Sequence, residues 1–519
     1  MKRILLLLLA LTLLSGCGKI KEDAPHDPLE ELREYYGAEI TEDIPPLTTF
    51  TLPYRSSETW DPITCSDGVQ QTLAALVYEP LFALDETFTP HGVLISATAY
   101  DAETFTYTFT LRSGLRFSDG TELTAQDISA TLLRAADSPR YAARLYQLDT
   151  VRSEGNTVVV TLKEDNRAFP ALLDMAVIRY GTENDLIPIG SGPYVPSADL
   201  TSLQRNSNYQ QHTSLPFTEI ALRPYKSEEA AAYAFTSHDV HLFVCNHLSD
   251  GDLLPTSHHA ANTDAETTLM HYLGLNMDRH VLAEPTVRQA VSLAIDRHEI
   301  ASSALSGHAT ATQFAVNPAS ALYPADLERA FSIAGARKLL HTEEDASQTQ
   351  SEEIDPIPLR LIVNSENPFK VSAAGNVAAA LNRCGFQVSV DTLSWEDFLY
   401  ALETGHYDLY YASCKLSSDW DLSALLGTES PLNYGNYTNP DTELLMDVLA
   451  GADERDRPEA MKALCRHLQK EVPLIPLFFE HSSVLLPQNA VEQITPTATN
   501  PFFGLEQWQV HWGEELPTE

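Results

Sequence analysis

Two facts about this chain restrict what it can fold into. Beyond residue 14 no apolar run approaches the roughly 20 residues that a bilayer-spanning helix needs. At 519 residues it is also too long for a single hydrophobic core. The body must therefore divide into two or three water-facing domains. Apolar residues make up 44% of the sequence, ample for several cores.

The N-terminal residues read as an address rather than as fold. Lys2 and Arg3 precede an apolar run over residues 4–14 that is broken only by Thr12, and Leu14-Ser15-Gly16-Cys17 follows at once. The run is too short for a mature anchor and has the form of an export signal. Its last four residues resemble a bacterial lipobox, which implies cleavage before Cys17, lipidation of that cysteine and an extracytoplasmic protein held at a membrane surface. Residues 1–16 are then a signal peptide. Residues 17–46, acidic and carrying Pro25, Pro28, Pro45 and Pro46, are a lipidated tether.

The formal charge is −39, and loss of Lys2 and Arg3 with the signal takes it to −41. This argues against nucleic acid as a partner and against electrostatic binding to anionic lipid. Five cysteines remain after Cys17: Cys65, Cys245, Cys384, Cys414 and Cys465. An odd number cannot all pair within the chain, and none has C-x-x-C spacing, so buried free thiols are expected. No G-x-S-x-G, H-E-x-x-H or Walker sequence is present, so the chain does not read as an enzyme and calls for no cofactor.

Strand and helix patterns mix along the body. Residues 104–111 alternate, with Phe105, Tyr107, Phe109 and Leu111 on one face, and residues 157–162 form a second strand. Residues 286–300 carry a helical stripe of Val287, Ala290, Val291, Ala294 and Ile295. Asp296-Arg297 reads as an ion pair at that helix end. Residues 456–472 form a second helix, with capping-box spacing at Asp456 and Glu459 and a stripe of Met461, Leu464, Cys465 and Leu468. The apolar run 474–479 after it predicts a buried strand. Residues 341–358 are low in complexity and predict a surface loop. The class is mixed α/β.

Several blocks in order resemble the bacterial extracellular solute-binding proteins of family 5, the dipeptide, oligopeptide and nickel binders of ABC importers. Trp60-Asp61-Pro62 is followed by Val77-Tyr78-Glu79-Pro80-Leu81, then by residues 107–120 and 123–128. Gly190-Ser191-Gly192-Pro193-Tyr194 resembles GTGPY, and Val287-Arg288-Gln289-Ala290 with Ala294-Ile295-Asp296-Arg297 resembles VRQA…AIDR. Gly405-His406-Tyr407-Asp408 and Pro473-Leu474-Ile475-Pro476-Leu477 complete the series.

The resemblance implies a bilobal, type II periplasmic-binding-protein-like fold with an extra domain in lobe I. Residues 47–77, 190–270 and 493–519 would form the lobe I core domain, 78–189 the extra domain and 271–492 lobe II. The chain would cross between lobes near residues 273–276 and 487–492, and these crossings would act as hinges closed by ligand. It further implies a monomeric lipoprotein that hands a peptide to permease and ATPase subunits.

The family likeness also suggests site residues. The carboxylate that meets a peptide's amine follows the G-x-YD block by about ten residues, which points to Asp419, with Asp421 as the close alternative. The lobe I contact is a small-residue loop, here Ser66-Asp67-Gly68. In it Gly68 would approach the ligand backbone and Asp67 would favour a cationic ligand. Trp395 and Trp420 are candidate pocket walls. The family's carboxylate-binding Arg has no counterpart between Arg360 and Arg383, where Lys370 is the only cation, so a strict dipeptide is disfavoured. Two other readings stay open at this stage. His238, His241, Cys245 and His247 suggest a nickel or metallophore carrier, and a ligand-presenting sensor or pheromone receptor would share the same binding physics.

Overall fold

The computed structural model describes residues 47–210, 212–246, 248, 260–340 and 356–513. The export signal, Cys17, the tether, His247 and most of the low-complexity stretch lie outside the described residues. The fold is organised around two long antiparallel strands, Ala260–Leu275 and Leu474–Pro487. They pair from Ala260 opposite Pro487 to Gly274 opposite Leu474. Residues of Leu474–Pro487 are buried on both faces, which is why the segment reads as a nearly unbroken apolar run rather than an alternating one.

Around this pair a seven-stranded sheet is laid out in the order Phe243–Cys245, Leu474–Pro487, Ala260–Leu275, Leu409–Lys415, Ile357–Asn364 and Phe386–Leu393, with Ala309–Ala311 also paired to Leu474–Pro487. Ile357–Asn364 is parallel to both of its neighbours. Parallel pairing demands long crossovers, and the helices Pro368–Asn382 and Trp395–Glu403 supply them. A second sheet joins Thr51–Arg55, Glu219–Tyr225, Ser202–Arg205 and Tyr194–Pro196. A third, wholly antiparallel, joins Ile95–Asp101, Thr106–Leu111, Thr157–Leu162 and Leu148–Glu154, and the helix Ala125–Ala136 packs on it.

The cores show how the pieces combine into two lobes. Leu273, Leu275, Ile475 and Leu477 sit in one apolar core with Val291, Val363 and Val377. The far end of the same ribbon, Val484 and Leu486, sits in another with Phe50, Leu52, Tyr194 and Leu222. Phe109, Ile128 and Val160 belong to a third, over the antiparallel sheet. The two strands therefore enter both lobes. Their register shifts between Glu266 and Met270, opposite His481 and Phe479, and again between His271 and Tyr272.

Local expectations met two informative exceptions. Tyr107, Phe109 and Leu111 are the buried face of Thr106–Leu111, but Phe105 stands before the strand with φ 51°. The stripe over 286–300 is two helices, Pro285–Leu293 and Arg297–Ala304. Asp296 breaks it by accepting a hydrogen bond from the Glu299 amide as a new N-cap. Arg297 does not pair with that aspartate. Its buried guanidinium donates to the carbonyls of Pro476 and Ser292, tying the helix to the long strand. In the helix Arg457–Glu471, Met461, Leu464 and Cys465 are buried as their spacing predicts, but the Asp456–Glu459 capping box does not form. Asp453 accepts from the Asp456 amide instead. Cys65, Cys384, Cys414 and Cys465 are free thiols, and of these only Cys414 is not fully buried.

Gly274 shows how tightly the ribbon is packed. A Cβ there would fall inside the ring of Tyr410, itself buried and edge-on to Tyr272, Tyr407 and Tyr434. The ring has nowhere to go. Gly274→Ala should destabilise the protein by about 1–3 kcal/mol or more, read as a lowered thermal midpoint.

Candidate interlobe binding site

A cleft of about 860 Å³ lies between the lobes. One wall comes from Gly68, Gln71, Thr72 and Ala75 on the helix Gly68–Val77, together with Arg140, Tyr141, Arg144 and Tyr146 of the antiparallel-sheet domain. The other comes from residues 414–419 and Asp421, as the chain leaves the strand Leu409–Lys415. The floor is the long ribbon, represented by Glu266–Leu269, Glu480 and Ser482.

The sequence candidates separate in this geometry. Asp419, Asp421 and Gly68 line the cleft. Asp419 is 5% exposed. Its Oδ2 accepts from Asn166 Nδ2 at 2.8 Å, and its Oδ1 accepts from Ser417 Oγ at 2.5 Å and from the Asp421 amide at 3.3 Å. Among the described residues no Lys, Arg or His forms an ion pair with this carboxylate. Burial, and then the neighbouring charge of Asp421, push its pKa up. Asp421 Oδ2 accepts from the Tyr146 hydroxyl at 3.0 Å and from Ser423 Oγ at 2.7 Å. The Asn166–Asp419 and Tyr146–Asp421 bonds join the two lobes, and Phe88 meets Trp420 edge-to-face at 5.2 Å beside them.

The other candidates lie off the cleft wall. Trp420 is buried in the lobe II core against Phe88 and Phe479, and Trp395 is 53% exposed on the outer face of its helix, stacked on Phe398. Asp67 caps the helix Gly68–Val77 through the Gln70 amide and pairs with Arg55 at 3.1 Å. Its charge is compensated and does not act on the cleft. Ser66 is exposed beside it, outside the cleft lining. Lys370 donates to Ser413 Oγ at 2.9 Å behind the wall, within electrostatic reach of Glu480. Of the histidine group, His241 accepts from the Thr51 amide and stacks on Phe50, and burial lowers its pKa to about 4. Among the described residues no three His, Cys, Asp or Glu side chains are grouped to hold a metal.

Sequence reasoning missed most of the polar lining. Arg140, Arg144 and Tyr146 come from turns whose approach to lobe II is set by tertiary packing alone, and Asn166, which reaches Asp419, comes from the irregular stretch after Thr157–Leu162. Lys415 carried a faint signal, as the only cation between Asp408 and Asp419. Beneath the cleft, His481 stands 3.3 Å from Asp264 Oδ2 and 3.3 Å from Glu266 Oε1, at the register shift of the ribbon.

Residues 89–435 match the family model for bacterial extracellular solute-binding proteins, family 5. The chain belongs to that family. Among curated relatives of this solute-binding protein is the glutathione-binding protein GsiB of Escherichia coli K12, 26% identical over 299 residues, 54% of this chain. The chain spans 58% of that relative's length. Solved structures with the same fold include the unliganded open form of MppA, a periplasmic murein tripeptide binding protein (TM-score 0.73, 18% identity, 89% of this chain and 98% of that one). Others are the ABC transporter substrate-binding protein CtaP of Listeria monocytogenes (0.70, 22%, 90% and 100%) and a nickel ABC transporter protein of Bacillus halodurans (0.71, 20%, 88% and 98%). Family and fold neighbours are binding proteins, not enzymes.

The His481 cluster gives this solute-binding protein a measurable pH signature. Burial alone would lower the imidazole pKa, but hydrogen bonds and charge from Asp264 and Glu266 raise it to about 9. A raised folded-state pKa contributes stability that is full below the imidazole's ordinary pKa and is lost as pH rises through about 9. The thermal midpoint should therefore fall between pH 7 and 10, and His481→Gln should flatten that decline.

Proposed function

We propose that this protein is the substrate-binding lipoprotein of an ABC importer and that it captures peptides in the interlobe cleft. In this reading Cys17 is lipidated, residues 17–46 tether the body to the membrane, and permease and ATPase subunits receive the cargo. The observation that carries the reading is Asp419, a buried carboxylate on the cleft wall whose two oxygens accept only from neutral donors, with the Arg457 guanidinium held behind it on the Asp419 carbonyl. Burial still disfavours its charge, and a ligand ammonium arriving between the lobes would offset that cost. The cleft volume falls within the ~300–1,000 Å³ of small-molecule sites. Several relatives and neighbours are described as binding glutathione, a murein tripeptide or, for AppA of Bacillus subtilis, a nonapeptide.

Closure follows from the same geometry. The long ribbon is the hinge, bending at the register shift near Glu266–Met270. The bonds from Asn166 and Tyr146 to Asp419 and Asp421 hold the closed form. Asp421 serves the latch, and Asp419 serves both latch and ligand.

Native mass spectrometry of protein purified from its source tests the reading directly, with a co-purified peptide as the expected result. Asp419→Asn separates the two roles. It removes the buried charge but keeps one acceptor oxygen where the carboxylate offers two, one to Asn166 and one to Ser417 and the Asp421 amide, so the empty variant should fold with a thermal midpoint at or modestly below that of wild type. Peptide affinity should fall at least tenfold, about 1.4 kcal/mol, by calorimetry. Unchanged affinity in the folded variant would remove Asp419 from the ligand site.

A further inference from the structure

The turn between the strands Phe82–Leu84 and Pro90–Gly92 carries an aromatic ring that does not stay with its own domain. Asp85 builds the turn. Its Oδ1 accepts from the amides of Thr87 at 2.9 Å and Thr89 at 3.0 Å, and its carbonyl accepts from the Phe88 amide at 3.0 Å. Bonds from an aspartate side chain to its own following backbone define such a turn locally. Phe88 is held in it at φ 64°, a left-handed conformation that is costly for an aromatic residue. Yet Phe88 is only 6% exposed, because its ring packs into the lobe II core beside Trp420. Every other buried member of that core lies between Met270 and Phe479.

Trp420 is strained in the same way, with φ 61° and 2% exposure. It stands between the two carboxylates of the lobe II wall. Asp419 and Asp421 line the cleft, while the Trp420 ring lies in the core, edge-on to Phe479 at 6.0 Å and to Phe88 at 5.2 Å. Of its two aromatic contacts one belongs to its own lobe and the other to lobe I. The backbone conformation of residue 420 sets how its two neighbours are turned relative to each other. Removing the Phe88 ring would leave a cavity against the indole, and the strained backbone could relax into it. An edge-to-face aromatic pair opposes that relaxation.

We propose that Phe88 is a positioning residue for ligand capture: from lobe I it fixes the Trp420 ring, and through that ring the orientation of Asp419 and Asp421 on the lobe II wall. The proposal rests on the reading of Asp419 as a ligand contact and deepens it. A wall held in this way is complete only while the turn of lobe I is seated, so lobe contact and ligand affinity rise together. Phe88 also reaches the cleft lining, and a direct contact with the ligand is the competing role that the experiment separates.

The test titrates the full-length protein with a pool of tripeptides and reads the bound fraction by native mass spectrometry. Phe88→Gly removes the ring but accepts φ 64° without strain, so the turn survives. It is expected to lower apparent affinity by about tenfold or more, and Phe88→Leu, which keeps an apolar side chain against the indole, to recover most of that loss. Ile128→Ala, a truncation in the separate core of the antiparallel sheet, controls for lost stability and should bind within about twofold of wild type. Combining Phe88→Gly with Asp419→Asn should weaken binding no further than the larger single loss, because both act on one contact. A second readout needs no ligand: acrylamide quenching of Trp420, taken as the difference from Trp420→Phe, should rise in Phe88→Gly. Unchanged affinity in Phe88→Gly, quenching that does not rise, or losses that multiply in the double variant overturns the positioning role and leaves the peptide reading standing. Wild type that binds no tripeptide overturns both.

Discussion

Everything in this fold depends on the two strands that belong to both lobes. Ala260–Leu275 and Leu474–Pro487 hydrogen-bond to each other along nearly their whole length, and their two ends are anchored in different apolar cores. A strand held in a core cannot slide, because a one-residue slip would turn its buried face outward. The two lobes are therefore held in register by the ribbon. Where the register shifts, Asp264, Glu266 and His481 are in contact across the two strands, with Thr310 bonded to both Glu266 and His481. Packing fixes both ends of the ribbon, and electrostatics bridges its middle.

The cleft walls show a different economy of charge. Some buried acids have ion-pair partners, such as Asp61 with Arg134 or Asp174 with Arg144. Asp419 does not: among the described residues no ion pair reaches its carboxylate, whose oxygens accept from Asn166, Ser417 and the Asp421 amide.

Much of the fold was legible in sequence because it follows from periodicity. The strand Thr157–Leu162, the buried face of Thr106–Leu111 and the stripe of Met461, Leu464 and Cys465 all stand where their patterns put them. Failures arose where a local polar group overruled the pattern. Asp296 restarts a helix that hydrophobicity alone would continue, and Arg297 answers backbone carbonyls of a strand 179 residues away. The site was half legible. Asp419, Asp421 and Gly68 line the cleft, but Asp67 is neutralised by Arg55, Trp420 fills a core and Lys370 stands behind the wall. Arg140 and Tyr146 could not be read at all. They lie in turns without periodicity, and only the docking of one domain against another brings them to the segment that begins at Lys415.

The buried carboxylate of Asp419 has one more consequence. Burial disfavours its charge while its bonds with Asn166 and Ser417 hold it in place, so one side chain both ties two parts of the molecule together and carries an electrostatic cost. A carboxyl in that setting takes up a proton more readily than one on the surface, so mild acid would relieve the cost.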